Sequence, residues 1–294
     1  MSERIITIPK LELIGVSPEK TRITETTTGF SSVLTPAGRE QFNQPYGLAL
    51  IVKDLGFGRI AVAYRPAEKS FHRPQDAIGF RTEAGAVTVT KADGATNMSD
   101  GVKIYPETRS HLYAHQLVSH LEPILSQGQA AHWLNSLPAT PGLENAPIYA
   151  GASTLTSFTI TEEERGYRLH FCQLGEKHGA RPGETFIIDP RGKIIRLEVD
   201  QDVPIYHGKR DYGYLPSWQE ITLKPGSLVV SATDGYDSLS LLAALRKKPG
   251  QELERIAREL IQTPNIDTNS LFRKLLSLSP DNGDDGSLAL IWLK

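Results

Sequence analysis

The sequence predicts an α+β protein whose antiparallel sheets are covered by segregated helices. Apolar runs of strand length cluster in the first third and the middle of the chain. Two blocks with apolar residues at helical spacing separate them from later strands. The resulting order of strands, helices, strands, helices and a last strand lacks the βαβ alternation that a doubly wound parallel sheet requires. The 294 residues suit one large domain or two modest ones.

Each element has a local reason. Residues 1–45 carry one short β-like run, RIITI, then the Thr- and Ser-rich TRITETTTGFSS, and read as a partly ordered N-terminal extension to a domain spanning 46–294. YGLALIVKD and RIAVAYR are aliphatic runs joined by LGFG, a hairpin signature. AIGFRTE and AVTVTKAD supply two more strands, the second with clean alternation. In ETRSHLYAHQLVSHLEPIL, Ala114, Leu117, Val118, Leu121 and Leu125 recur at helical spacing, with Pro106 ahead as a tolerated start. QAAHWLNSL predicts a shorter helix. STLTSFTIT, YRLHFCQLG, ETFIIDP and KIIRLEV read as strands. DVPIYHGKRDYGYLPSW reads as a long surface loop. After the strand SLVVSAT, QELERIARELIQ and NSLFRKLLSL read as helices, and SLALIWL closes the chain as a strand.

Composition excludes several classes. Hydrophobic content of 39% and charged content of 22% are ordinary for a globular chain, and a net charge of −2 leaves no electrostatic footprint for nucleic acid or an anionic membrane. The single cysteine, Cys172, rules out an internal disulfide framework, suits a reducing compartment and has no evident catalytic partner. No apolar run reaches membrane-spanning length, and MSERIITIPK lacks an apolar signal region. The expectation is a cytoplasmic protein that engages neither nucleic acid nor membrane.

Acids recur where apolar strands end: Asp76 in RPQDAIGF, Asp93 in TKADGAT, Asp234 in SATDGYD, and Asp284 with Asp285 in DNGDDGSLAL. Singly, each Asp-Gly is ordinary turn chemistry. Glycine also lets the backbone turn sharply and direct a carbonyl at a ligand. Hard divalent cations such as Mg²⁺ and Mn²⁺ want oxygen ligands, with positions left to water, and a few carboxylates from distant strand ends meet that demand. DNGDDG does not extend to a calcium loop, because its third position is Gly283 and its twelfth is Trp292. His111 and His115 lie four apart but lack the glutamate of a zinc protease motif.

Taken in order, PQDA, VTVTKADGAT, GASTLTSF, CQLGEKHG, SATDGYDSLS and GDDGSLALIWL resemble the metal-dependent protein phosphatase family, protein phosphatase 2C, over about Tyr46 to Lys294. The resemblance implies a four-layer α-β-β-α sandwich of two antiparallel sheets flanked by helices, with the metal centre at one end. It implies two ions, Mg²⁺ or Mn²⁺, bridged by Asp93, with the Gly94 carbonyl, Asp234 and Asp284 as further ligands. Asp76 would accept hydrogen bonds from metal-held water, and Asp285 would stand where the family more often has Asn. The implied activity is hydrolysis of phosphoserine and phosphothreonine in proteins by a metal-bridging hydroxide, with catalytic Asp76, Asp93 and Asp234. A phosphoprotein substrate or a cognate kinase would be the partner.

The chain also departs from the family pattern. Phe71 stands where an arginine usually holds substrate phosphate, and Arg73 is the nearby substitute or a surface salt-bridge residue. Ala95 follows Asp93-Gly94 in place of the usual His or Met. Gly-Asp-Ser has become Gly175-Glu176-Lys177, where Glu176 is either a ligand to an additional, weaker metal or a solvated turn residue. His178 is an acid, a phosphate contact or an ordinary loop histidine. Phe71, Ala95 and Glu176 motivate the alternative of a catalytically silent module that binds a regulatory partner.

Overall fold

The structure, a computed structural model, describes residues 4–5, 22–25, 30–34, 49–65, 76–94, 98–99, 104–105, 110–120, 122–146, 151–174, 185–191, 193–197, 205–206, 216–233 and 286–294. Strands β1 (Arg4–Ile5), β2 (Arg22–Glu25) and β3 (Phe30–Leu34) precede two hairpins, β4 (Ala49–Asp54) with β5 (Gly58–Arg65), and β6 (Ala77–Glu83) with β7 (Ala86–Gly94). The short pair β8 (Met98–Ser99) and β9 (Ile104–Tyr105) leads to helices α1 (Ser110–Ser119) and α2 (Gln127–Ser136). A long hairpin follows, β10 (Ala152–Glu163) with β11 (Gly166–Leu174), then a short one, β12 (Thr185–Ile188) with β13 (Ile194–Leu197). The remaining strands are β14 (Ile205–Tyr206), β15 (Ser217–Leu223), β16 (Leu228–Ala232) and β17 (Gly286–Leu293).

They form two main sheets, antiparallel at every described pairing. The larger runs β1-β2-β3-β6-β7-β10-β11-β15, with β14 also on β10, and the smaller runs β13-β12-β16-β17-β5-β4. Side-chain alternation explains how they stack. Val87 and Val89 of β7, Phe158 and Ile160 of β10, and Leu169 and Phe171 of β11 meet Ile60, Val62, Val229, Ala289 and Ile291 of the smaller sheet in one apolar layer. The alternate residues Ala92, Leu155, Cys172 and Leu174 meet Tyr113, Leu117 and Val118 of α1 and Ala130, Trp133 and Leu134 of α2. The molecule is thus an α+β sandwich in which helices cover the outer face of the larger sheet. The helices expected in QELERIARELIQ and NSLFRKLLSL lie outside the described residues.

Polar contacts pin the margins. In the β4–β5 turn, Asp54 Oδ1 accepts from Gly56 N at 2.8 Å, and Gly56 takes the φ of 81° that suits glycine. The Tyr167 hydroxyl of β11 donates to the Lys294 carbonyl, 2.7 Å away beyond β17, which ties one sheet to the other. Ser126 caps α2, accepting from Gln129 N at 3.2 Å.

Two expectations change in detail. The first helix ends at Ser119, so Leu125 falls beyond it and is 42% exposed, while Ile124 takes the buried place. Pro123 keeps the helix from running on to Leu125, since the residue before a proline is driven out of helical geometry. Leu121 and Pro106 lie outside the described residues. SWQEITL, not foreseen as a strand, is β15; it is an edge strand whose alternate side chains are partly exposed, so it shows no apolar run. Within residues 1–45, β3 pairs with β6, so the described N-terminal strands continue the larger sheet.

Phe158, buried between neighbouring strands β7 and β11, tests the inter-sheet layer. Phe158→Ala is expected to cost about 3–5 kcal/mol in urea unfolding.

Candidate functional site

The apolar layer between the sheets turns polar at one end. On β7 the inward-facing series Val87, Val89 continues as Lys91 and Asp93, and on β10 the series Ile160, Phe158 continues as Thr156. Across the layer, Val229 of β16 is followed on the same face by Ser231, whose Oγ lies 2.8 Å from Thr185 Oγ1 of β12. Next on that face comes Thr233, and on β17 Ser287. Polar side chains buried together must satisfy one another.

Asp76 is the centre of that satisfaction. It precedes β6 by one residue and is 2% exposed. Thr233 Oγ1 donates to Asp76 Oδ2 at 2.5 Å and accepts from Ser287 N at 2.7 Å. Ser287 Oγ is 3.4 Å from the same Oδ2, and Thr233 N donates to the Ser287 carbonyl at 2.9 Å. A carboxylate on the larger sheet therefore holds the ends of the two central strands of the smaller one.

Asp93 stands opposite it. The β6–β7 ladder pairs Ala77 with Ala92, so continuing the register one residue sets Asp76 across from Asp93. Directly opposed side chains on antiparallel strands have Cβ atoms about 4.5–5.5 Å apart, where like charges repel unless a cation joins them. Asp93 is half-buried and pairs with Thr154, while Ser153 Oγ donates to the Asp93 carbonyl at 2.8 Å. Gly94, buried, pairs with Ser153 and ends β7.

The structure thus brings Asp76, Asp93 and Gly94 to one end of the sandwich. Asp234, Asp284, Asp285, Glu176, Arg73 and His178 lie outside the described residues, as do Phe71 and Ala95. Among the described residues no three histidine, cysteine or acidic side chains group so as to hold a metal ion. The donors present are all oxygen, which fits Mg²⁺ or Mn²⁺ better than a thiolate-seeking metal. Cys172 faces the helices on the other side of the sheet, and burial pushes its thiol up to about 12. His111 is packed within α1's buried face.

Three contributors escaped sequence reasoning: Thr233, Ser287 and Lys91. Lys91 is 2% exposed and its Nζ donates to the Ala232 carbonyl of the facing sheet. Counting by twos along VTVTKAD places Lys91 on the face of Asp93, so that signal was present. The cross-sheet partners of Asp76 had none, because they arise from the stacking of separate sheets.

No protein-family model and no curated protein matches the chain. Among solved structures, RsbX in complex with magnesium matches at a TM-score of 0.52 with 16% identity, over 84% of this chain and 100% of RsbX. The PP2C phosphatase domain of SpoIIE from Bacillus subtilis, solved with a fragment of its regulatory domain, matches at 0.49 with 13% identity, over 93% of this chain and 81% of that one. The S. agalactiae serine/threonine phosphatase matches at 0.49 with 14% identity, over 84% and 99%. The likeness to RsbX is one of fold, and the architecture is the PP2C-like α+β sandwich.

Two outcomes test this geometry. Thr233→Val removes the hydroxyl that serves both Asp76 and Ser287, and should lower stability by about 1–3 kcal/mol in chemical denaturation. For Cys172, a thiol pushed up to about 12 is ionised to about one part in ten thousand at pH 8. Native protein should resist a thiol reagent that labels the unfolded chain promptly; prompt native labelling would contradict the assigned burial.

Proposed function

We propose that the chain is a Mg²⁺- or Mn²⁺-dependent phosphatase acting on phosphoserine and phosphothreonine in proteins. The observation that carries this reading is the opposition of Asp76 and Asp93 at the polar end of the inter-sheet layer. In the sequence Asp234 directly follows Thr233, and Asp284 and Asp285 directly precede Gly286, the first residue of β17. RsbX, which shares the fold, is known with magnesium, and an ion of that class is proposed here.

Asp93, the Gly94 carbonyl, Asp234 and Asp284 would hold two ions. Two such ions, when bound, lower the pKa of coordinated water and screen the oxygens of a phosphoryl group. The described residues prepare that site. Thr233 and Ser287 both engage Asp76 Oδ2, which fixes the carboxylate plane and orients Asp76 as a hydrogen-bond acceptor for water. Burial of Asp76 lowers the local dielectric and strengthens its pull on a cation. No step passes through Cys172, which lies on the helix side of the sheet. Asp285 would position its neighbour, Glu176 would reach an additional ion, and Arg73 and His178 would contact phosphate. The proposed partner is a phosphoprotein or a cognate kinase, and the proposed location is the cytoplasm; no helix among the described residues is long and apolar enough to cross a membrane.

Phe71, at the position where the resembled family holds phosphate with arginine, favours a second reading, the silent partner-binding module. Purified protein with a phosphothreonine peptide and Mn²⁺ separates the two. Hydrolysis is expected, lost on chelation and reduced at least about 100-fold by Asp93→Asn. Turnover that survives chelation or this substitution contradicts the metal reading. Mn²⁺ binding without turnover of any peptide favours the silent module.

A further inference from the structure

Lys91 is a buried lysine at the place where the proposed function, on which this inference rests, gathers carboxylates. Its backbone lies two residues before Asp93 on β7, on the same face of the strand. It pairs with Ile78 of β6, and Asp76 is the residue two before Ile78 on that strand's approach. Its ammonium donates to the Ala232 carbonyl, and the next residue, Thr233, donates to Asp76. The lysine nitrogen and the Asp76 carboxylate are thus held by consecutive residues of one strand end. At 2% exposure the Lys91 side chain lies within the layer and not on the surface. An ammonium so desolvated persists only beside compensating negative charge, and Asp76 and Asp93 are carboxylates on the same face of the neighbouring strands.

We propose that Lys91 is a positioning residue that serves as a built-in cation of the site. It balances part of the carboxylate charge that divalent ions would otherwise balance alone. Two consequences follow from the electrostatics. The carboxylates stay gathered when no metal is bound, since the ammonium offsets their repulsion. Divalent ions would bind more weakly than the same carboxylates alone would hold them, since each entering ion would be repelled by the nearby positive charge.

Calorimetric titration of metal-stripped full-length protein with Mn²⁺ tests this, comparing wild type, Lys91→Met and Lys91→Gln. Methionine removes charge and donor together; glutamine removes the charge and keeps a donor for the Ala232 carbonyl. Both variants are expected to bind Mn²⁺ tighter by on the order of tenfold or more. Their melting temperatures should be lower than wild type without metal and gain more on adding Mn²⁺. A merely structural lysine would shift the metal-free melting temperature and leave the Mn²⁺ affinity unchanged, and equal affinity in all three proteins overturns the inference while leaving the metal site standing. Tighter binding by Lys91→Met alone, with glutamine behaving as wild type, also overturns it, because the hydrogen bond and not the charge would then be responsible. Absence of Mn²⁺ binding in all three ends the metal reading itself, and this inference with it. Should Lys91→Met fail to fold, Lys91→Gln decides the matter alone.

Discussion

A single buried carboxylate sets the terms for one whole end of this molecule. Apolar packing brings the two sheets face to face, but it is non-directional and would tolerate some sliding of one over the other. Asp76 removes that freedom. It belongs to the approach to β6 in the larger sheet, yet its Oδ2 is held by hydroxyls from Thr233 and Ser287 beside and within the smaller one. Thr233 and Ser287 are further joined to each other through backbone and side chain. The hydrogen bonds therefore act as one unit, in which loss of any member leaves another buried group without its partner.

The remainder of the interior can be understood as the counterpart of that unit. Between the polar end and the Tyr167 hydroxyl that meets the Lys294 carbonyl, the layer is filled by Phe80, Phe158, Phe171, Val89, Ile60 and Ile291. The larger sheet has a second buried face, where Thr88 pairs with Thr159 and Thr90 with Ser157 across the β7–β10 ladder. Thr159 also accepts from Ile124 N, fastening the link between α1 and α2 to the sheet. Helix packing and site geometry thus share strands β7 and β10, with alternation sending one set of side chains to each.

This arrangement gives the proposed chemistry its physical basis. Opposed carboxylates on neighbouring strands are costly by themselves, and gathering them has meaning where positive charge is to be held. Lys91 supplies one fixed charge within the same layer, reaching across to the strand that leads to Asp234. The described charged groups, Asp76, Asp93 and Lys91, all belong to the larger sheet and its approach, and the smaller sheet meets them with the Thr233 and Ser287 hydroxyls and the Ala232 carbonyl.

The strand hairpins were legible because their evidence is local: LGFG and the aliphatic runs beside it specify β4 and β5, and VTVTKAD alternates visibly. Asp76 and Asp93 could be singled out by their strand-end context. The edge strand β15 was hidden, since a half-solvated strand needs no apolar run, and Leu125 was misplaced because Pro123 keeps the helix from running on to it as periodicity suggests. By itself, the sequence determined the main hairpins, the buried face of α1 over Ala114, Leu117 and Val118, and the kind of donor atoms available, all of which depend on neighbours a few residues away. Only the tertiary structure decided that Asp76 is held by Thr233 and Ser287 and that Lys91 reaches Ala232. Those contacts span 157, 211 and 141 residues, and they exist only once two separate sheets have stacked.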